Sequence, residues 1–241
     1  MASIQEKSLA IRLTYKLRDF LSKPLYQLLA GDLGVAVDIG GGAFYKRLSA
    51  SKWTKYLVVE PDPKTLTQEL EKNVFAIAAD GQKLPLKSSS FDTAICIQVL
   101  ELIFEPYKVF QEAHRVLKGG GRFVVLVPQT GTLHGIPYHY QNLTHHWLFE
   151  AAKRSGFEVE SWQPLGGAWR TIASRLFLMF WPVFKNSYYY DPLYQKRGFM
   201  FWLTLPLQIL TALIMFPIAM LLSFFDIKEE SNNHLIVLSK K

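Results

Sequence analysis

Cysteine is almost missing. Cys96 stands alone among 241 residues, so no intramolecular disulfide can staple the chain and no cysteine-based metal cluster can form. Set in the apolar run TAICIQV, that thiol reads as a buried strand residue. An apolar leader is also missing. Glu6, Lys7, Arg12, Lys16, Arg18 and Asp19 interrupt the first twenty residues, no secretory h-region forms, and folding in the cytoplasm is expected. Negative charge is the scarcer sign, with 20 Asp and Glu against 27 Lys and Arg and a net charge of +7. That balance favours anionic partners such as phospholipid headgroups, phosphorylated substrates or nucleic acid. A hydrophobic content of 49% excludes disorder and weights lipid over nucleic acid. Repeats and low-complexity linkers are lacking too, so the length fits one α/β domain with room for an elaboration. The last absence is local: Phe199–Phe225 holds no charged residue in 27 positions.

What is present alternates. Residues 8–29 carry Leu9, Leu13, Leu17, Phe20 and Leu21 on one helical face and Arg12, Lys16 and Lys23 on another, with Pro24 dividing the stretch. Strand-like runs follow at residues 35–40, 56–61, 74–80, 93–99, 122–128 and 157–165. Between them, residues 43–50 can begin a helix, and Asp62-Pro63 reads as an N-cap and first-turn proline. Pro106 opens a helix with Val109, Phe110, Ala113, Val116 and Leu117 on one face, and Gly119–Gly121 reads as a turn. Thr144 can cap a helix that Gly156 ends. Strands and helices alternating at this spacing predict a doubly wound, Rossmann-like α/β sheet.

In such sheets ligands bind beyond the carboxyl ends of the strands. The first strand ends Asp38-Ile39-Gly40-Gly41-Gly42-Ala43-Phe44, where glycines admit a ligand close to the backbone. Glu60, twenty residues past Gly40, ends the second and can accept both hydroxyls of a ribose. Asp80-Gly81 ends the third, suited to an adenine amino group. A dinucleotide fingerprint would need glycine at position 45, which is Tyr45. Asp38, directly before the glycines, suits a ligand with ammonium and sulfonium centres and would sit badly beside a pyrophosphate. The residues favour S-adenosylmethionine over NAD.

Four linked blocks carry a resemblance. VAVDIGGG, VVEPDP, AADGQKLPLKSSSFDTAICIQVLE and EAHRVLKGGGRFVVLVP, in that order, are similar to the motifs of class I S-adenosylmethionine-dependent methyltransferases, closest to the group related to quinone-biosynthesis enzymes. The match runs over residues 35–165. It implies a seven-stranded sheet whose last strand is antiparallel, with Asp38, Gly40 and Gly42 along the methionine side, Glu60 at the ribose, Asp80 and Gly81 at the adenine, and Gln98 near the transferable methyl. Phe44, Leu102 and Gly119 depart from the family pattern, which has glycine, histidine and proline there.

The loop QTGTLHGIPYHYQNLTHHW should face the methyl acceptor. His134 and His139 are its candidate bases, with His139 preferred, and Tyr138 and Tyr140 its walls. Four histidines at 134, 139, 145 and 146 lack an accompanying carboxylate or cysteine, so no metal is expected. HLIVLSKK reads as the closing strand, which makes residues 1–165 plus 231–241 the methyltransferase core and residues 166–230 an apolar helical insert. If both ends of the insert lie in one domain, it crosses a bilayer an even number of times or not at all. Pro206 and Pro217 are expected to break Phe199–Phe225 into pieces too short to span, leaving a monotopic, membrane-associating segment. The expected partner is a lipid or lipid-linked acceptor (a quinone, a polyprenyl-linked sugar or another lipid), with a soluble acceptor or a non-catalytic binding module as alternatives.

Overall fold

A computed structural model describes residues 22–66, 70–179, 191–194 and 197–241. Most of the basic amphipathic stretch at residues 8–29 lies outside the described residues, as does most of the tyrosine-rich segment preceding Phe199. What is described of the former is α1, Lys23–Leu28, with Pro24 in its first turn as proline prefers.

Seven strands form one sheet: β1 Val35–Ile39, β2 Lys55–Glu60, β3 Val74–Ala78, β4 Phe91–Ile97, β5 Leu117–Pro128, β6 Phe157–Leu165 and β7 Asn233–Lys240. Their order is β3-β2-β1-β4-β5-β7-β6, with β7 antiparallel to both neighbours and the other pairs parallel. The expected closing strand therefore inserts between β5 and β6. The reversal of strand order falls between β1 and β4, which is where such sheets open a cleft. A minor parallel pair joins Gly31–Asp32 to Ser51–Lys52.

Both faces of the sheet are covered, so its central strands are apolar at nearly every position. Side chains alternate between two cores. Val37, Ala94, Cys96, Phe123, Val125, Ile236 and Leu238 face one, closed by α2 (Pro106–Val116) and α3 (His145–Arg154). Ala36, Ile95, Val124, Leu126, Leu235 and Val237 face the other, closed by Leu25, Leu29, Tyr45 and Leu48. Cys96 is buried, as its apolar setting implied. The Thr144 hydroxyl accepts the Trp147 N–H at 3.3 Å and caps α3.

Three local expectations change. Within residues 43–50 only a short 3₁₀ helix forms, Phe44–Arg47, directly after Gly40 and Gly42 with their positive φ. Gly119–Gly121 lies within β5 as an irregularity: Phe91 pairs with Leu117 but Thr93 with Arg122. And Pro206 and Pro217 do not break the apolar run. They sit inside one continuous helix, α5, Phe199–Leu222. Its 24 residues extend roughly 36 Å at 1.5 Å per residue.

Helix α4, Ala168–Leu178, pairs with α5 in antiparallel fashion. Its first turn is capped by Asp226, which follows α5 and accepts the Trp169 N–H at 2.7 Å and the Arg170 N–H at 3.1 Å. Ten residues back along α5, Phe216 meets Phe177 with ring centres 6.0 Å apart. A Cβ on Gly167 would lie 2.5 Å from Asp226 Cγ and from Ile227 O, so only glycine permits this junction. Leu165 pairs with Asn233, so the two helices leave the sheet and return to it at adjacent points.

Candidate active site

The cleft is built on Asp38. It is the penultimate residue of β1, with zero exposure, and Tyr56 from β2 donates to its Oδ2 at 2.7 Å. Oδ1 is buried without a hydrogen-bond partner. Burial pushes the Asp38 carboxyl up to about 7, with the Tyr56 bond opposing and the charge of Glu60 adding to the rise. Glu60 is also raised, first by burial, against the stabilising Gly42 N–H. Two carboxylates that burial destabilises, side by side, form a site that a cation relieves.

The glycines are shaped to the same purpose. Gly40 has φ +73°, and a Cβ there would lie 2.6 Å from both Val99 methyls. At Gly41 a Cβ would overlap the Asp38 carboxylate at 1.9 Å. Gly42, φ +50°, passes Glu60 Oε1 at a virtual Cβ distance of 3.4 Å. A larger residue at any of these would fill the cradle.

Gln98 follows β4 in the left-handed region at φ +57°, a conformation that costs free energy for a residue with a Cβ. Two bonds hold it there: its N–H to Leu126 O at 2.8 Å, and Nε2 to Asn233 Oδ1 at 2.8 Å. Asp80 sits exposed at the rim, its Oδ1 accepting the Gln82 N–H at 2.8 Å, and Gly81 is buried against Ile39. Asp38, Gly40, Gly42 and Glu60 thus come together directly. Ala79 N–H donates to Glu60 O at 3.0 Å and brings Asp80 and Gly81 to the same edge.

In the loop after β5, His134 and His139 stack edge to face with centroids 4.6 Å apart. His134 Nδ1 lies 2.7 Å from Thr132 O, and its Nε2 lies 3.8 Å from Glu101 Oε1. His139 Nδ1 accepts the His134 N–H at 3.3 Å, and its Nε2 is buried without a partner. Burial lowers the His134 pKa, but Glu101 and the Thr132 carbonyl together raise it above the usual imidazole value. Burial and the neighbouring His134 lower that of His139. Tyr138 and Tyr140 are exposed, Tyr140 against Phe104 with ring centres 5.4 Å apart. His146 is exposed and His145 packs on Trp162 and His234, away from the pair. Among the described residues no cluster of histidine, cysteine and carboxylate could hold a metal.

Four participants escaped sequence reasoning. Tyr56 looked like an ordinary strand position, Asn233 stood just before the expected closing strand, and Arg175 fell inside the apolar insert. Glu101 lay inside a quoted motif, and its carboxylate among apolar residues was the available signal. Arg175 reaches from α4 to the loop after β5, donating to Thr132 Oγ1 at 2.8 Å and to Gly131 O at 3.3 Å.

Residues 35–125 match the family model described as a methyltransferase domain. Over 71 residues the chain is 41% identical to a Caenorhabditis elegans sterol 4-C-methyltransferase, covering 29% of this chain and 21% of that protein. An uncharacterized methyltransferase of Mycobacteroides abscessus is 27% identical over 119 residues, 46% of this chain and 45% of its own length. The chain thus spans less than half the length of these curated relatives. A crystal structure of an S-adenosylmethionine-dependent methyltransferase from Mesorhizobium loti superposes with a TM-score of 0.56 at 16% identity, covering 91% of this chain and 98% of that one. The fit of the cleft agrees: an unpartnered buried carboxylate oxygen and a glycine cradle suit a ligand with an ammonium and a sulfonium. Residues 35–125 thus match a methyltransferase domain, set within a fold shared with that S-adenosylmethionine-dependent enzyme.

Proposed function

We propose that this protein methylates a lipid-borne acceptor at a membrane surface, on the cytoplasmic face. In this reading Asp38 takes the ammonium group of S-adenosylmethionine on its free Oδ1, with Gly40 and Gly42 along the methionine, Glu60 on the ribose hydroxyls, and Asp80 and Gly81 at the adenine. Gln98 lines the methyl end. The cofactor supplies an electrophilic methyl on sulfur, so the protein's main contribution is alignment of the two reactants.

The observation that carries the lipid reading is α5 and its attachment. The helix exposes Phe199, Trp202, Leu207, Leu213 and Leu221, each more than half accessible, an apolar surface that water does not tolerate unpaired. Its polar side chains turn inward on the helix itself: Thr204 Oγ1 bonds Met200 O at 2.8 Å, Gln208 Nε2 bonds Thr204 Oγ1 at 2.8 Å, and Thr211 Oγ1 bonds Leu207 O at 2.9 Å. Internal satisfaction of that kind is what hydrocarbon demands. Arg175 and the Thr130–Thr171 contact at 3.4 Å tie this helical pair to the acceptor loop. At roughly 36 Å, α5 exceeds a hydrocarbon core of about 30 Å. The pairing of β6 with β7 supports an even number of crossings or none, and we read α5 as lying in one leaflet or entering and returning. A relative named for sterol methylation supports a lipid acceptor.

The test uses S-adenosylmethionine labelled at its methyl, purified protein, and total lipid and aqueous extracts of the source cells, with Asp38→Ala as control. Label entering the organic phase with wild type alone is the expected result. Label confined to the aqueous phase would replace the lipid with a soluble acceptor. Cofactor binding without transfer to either extract would point to a binding module.

A further inference from the structure

Glu101 is the least expected group in the molecule. It sits in the short 3₁₀ turn after β4, three residues past Gln98, with zero exposure and neither carboxylate oxygen hydrogen-bonded. A bare carboxylate in an apolar core is held only where a cation answers it. Its answering group is His134 Nε2 at 3.8 Å, brought over by the loop after β5. The same loop is pinned to the turn by Tyr140 N–H donating to Glu101 O at 2.9 Å.

The hydrogen bonds then order the protons along the cluster. His134 Nδ1 faces the Thr132 carbonyl at 2.7 Å, which only accepts, so Nδ1 carries hydrogen. With Nε2 toward Glu101, the protonated form of His134 is favoured. His139 Nδ1 receives the His134 backbone N–H at 3.3 Å and lies 3.2 Å from His134 Nδ1, so it must offer a lone pair. The hydrogen of neutral His139 is therefore on Nε2, which is buried with no partner in hydrogen-bonding geometry, although the Asn142 side chain lies close enough to act on the ring. A buried N–H donor left unpaired is costly, and it is commonly completed by a ligand.

We infer that His139 is a catalytic hydrogen-bond donor, not a base: its Nε2–H holds an anionic oxygen of the methyl acceptor, with Glu101 and His134 as the positioning pair that fixes its tautomer. This rests on the methyltransferase reading above and narrows its substrate class to acceptors that react with an ionised oxygen, either at that oxygen or at a carbon conjugated with it. The acceptor proton has left to solvent before transfer. An electron pair of the acceptor forms the new bond to the methyl carbon as the C–S bond breaks. The C–S pair stays on sulfur, and the negative charge of the acceptor and the positive charge of the sulfonium cancel. Protonated His134, its ring centre 4.6 Å from that of His139, favours the ionised form before the step.

Three charged or titratable groups face the cluster: Glu101 from the turn, Cys96 within β4, whose thiol is held protonated by burial and Glu101, and Arg175 from α4 on Thr132. The experiment reads imidazole nitrogens by NMR in the full-length ¹⁵N-histidine protein, with no acceptor present. The expected spectrum shows His139 as the Nε2–H tautomer at pH 7 and His134 protonated, with the His134 midpoint falling in Glu101→Gln. In the lipid-labelling assay His139→Phe should lose about 10²–10³-fold in rate. His139→Gln, whose amide nitrogen can stand where Nε2 stood, should retain activity within about tenfold of wild type, and both variants should bind S-adenosylmethionine as wild type does. A His139 Nδ1–H tautomer, an unchanged His134 midpoint in Glu101→Gln, or full labelling by His139→Phe would overturn the inference. Failure of wild type to label any lipid tells instead against the lipid-methyltransferase reading, and leaves the NMR result to decide the tautomer on its own.

Discussion

The sheet and the α4–α5 pair are similarly apolar and meet opposite fates. In β5, Phe123, Val124, Val125 and Val127 are buried on both faces, and α2 turns Val109, Phe110, Ala113 and Val116 inward while its charges stay out. In α5 only Ala212 and Ala219 are buried, and large side chains surround the helix on every side. The difference lies in periodicity. Helix α2 has one apolar stripe and one partner for it, whereas α5 has no polar face to leave in water. A helix apolar all round belongs inside something, and among the described residues this chain supplies only α4 to cover part of it.

Stability measurements can break that comparison most sharply. Phe110 is fully buried between Phe123 and Trp147, and Phe110→Ala should cost about 3–5 kcal/mol in denaturant unfolding through the cavity it leaves. Leu213, 68% exposed on α5, should change the unfolding free energy by less than about 0.5 kcal/mol on replacement by alanine. Equal losses at the two positions would mean that α5 is part of the folding core.

A second prediction concerns the cleft inside the sheet. Burial pushes the Asp38 carboxyl up to about 7 from its ordinary value of 3.8. Its folded state therefore keeps a proton that the unfolded chain gives up. That contribution is complete below about pH 4 and is lost as pH rises to about 7, a swing of up to about 4 kcal/mol. Asp92 and Glu112, whose pKa values are lowered with Lys118 and Arg115 as partners after burial is counted, work in the opposite direction. The difference between wild type and Asp38→Asn isolates the term: wild type should lose stability relative to the variant between pH 4 and 7. Parallel pH curves would show Asp38 to be ionised throughout, and saturating S-adenosylmethionine should flatten the wild-type curve.

The smallest effect on folding should come from charging the exposed helix. Leu210→Glu with Leu213→Glu should reduce co-sedimentation with vesicles of phosphatidylglycerol and phosphatidylcholine by tenfold or more, since each charge in hydrocarbon is expensive. Circular dichroism and cofactor affinity should stay at wild-type values. Retained vesicle binding would move the membrane contact elsewhere on the chain.

Much of the fold was legible in the residues. Strand-length apolar runs, Pro106 and Thr144 at helix starts, and Glu60 at its interval from Gly40 all depend on neighbours along the chain, where local sterics and periodicity decide. The prolines misled because a breaking tendency of about 3 kcal/mol is a local rule. In α5 that tendency is outweighed by the hydrogen bonds of the remaining turns and by the contact with α4. Glycines 119–121 misled in the same way, since sheet pairing with β4 overrides their turn preference.

By itself, then, the sequence determined the alternation of elements, the acidic and glycine-rich strand ends that suit S-adenosylmethionine, and the charge-free helix. Tertiary structure alone decided the rest. Tyr56 reaches Asp38 across 18 positions of sequence, Gln98 is held by Asn233 from 135 positions away, and Arg175 meets the loop 43 and 44 positions before it. Glu101 finds His134 only because β4 and β5 lie side by side. A carboxylate acquires its function from the cation that burial forces beside it, and no pattern along the chain specifies which one that will be.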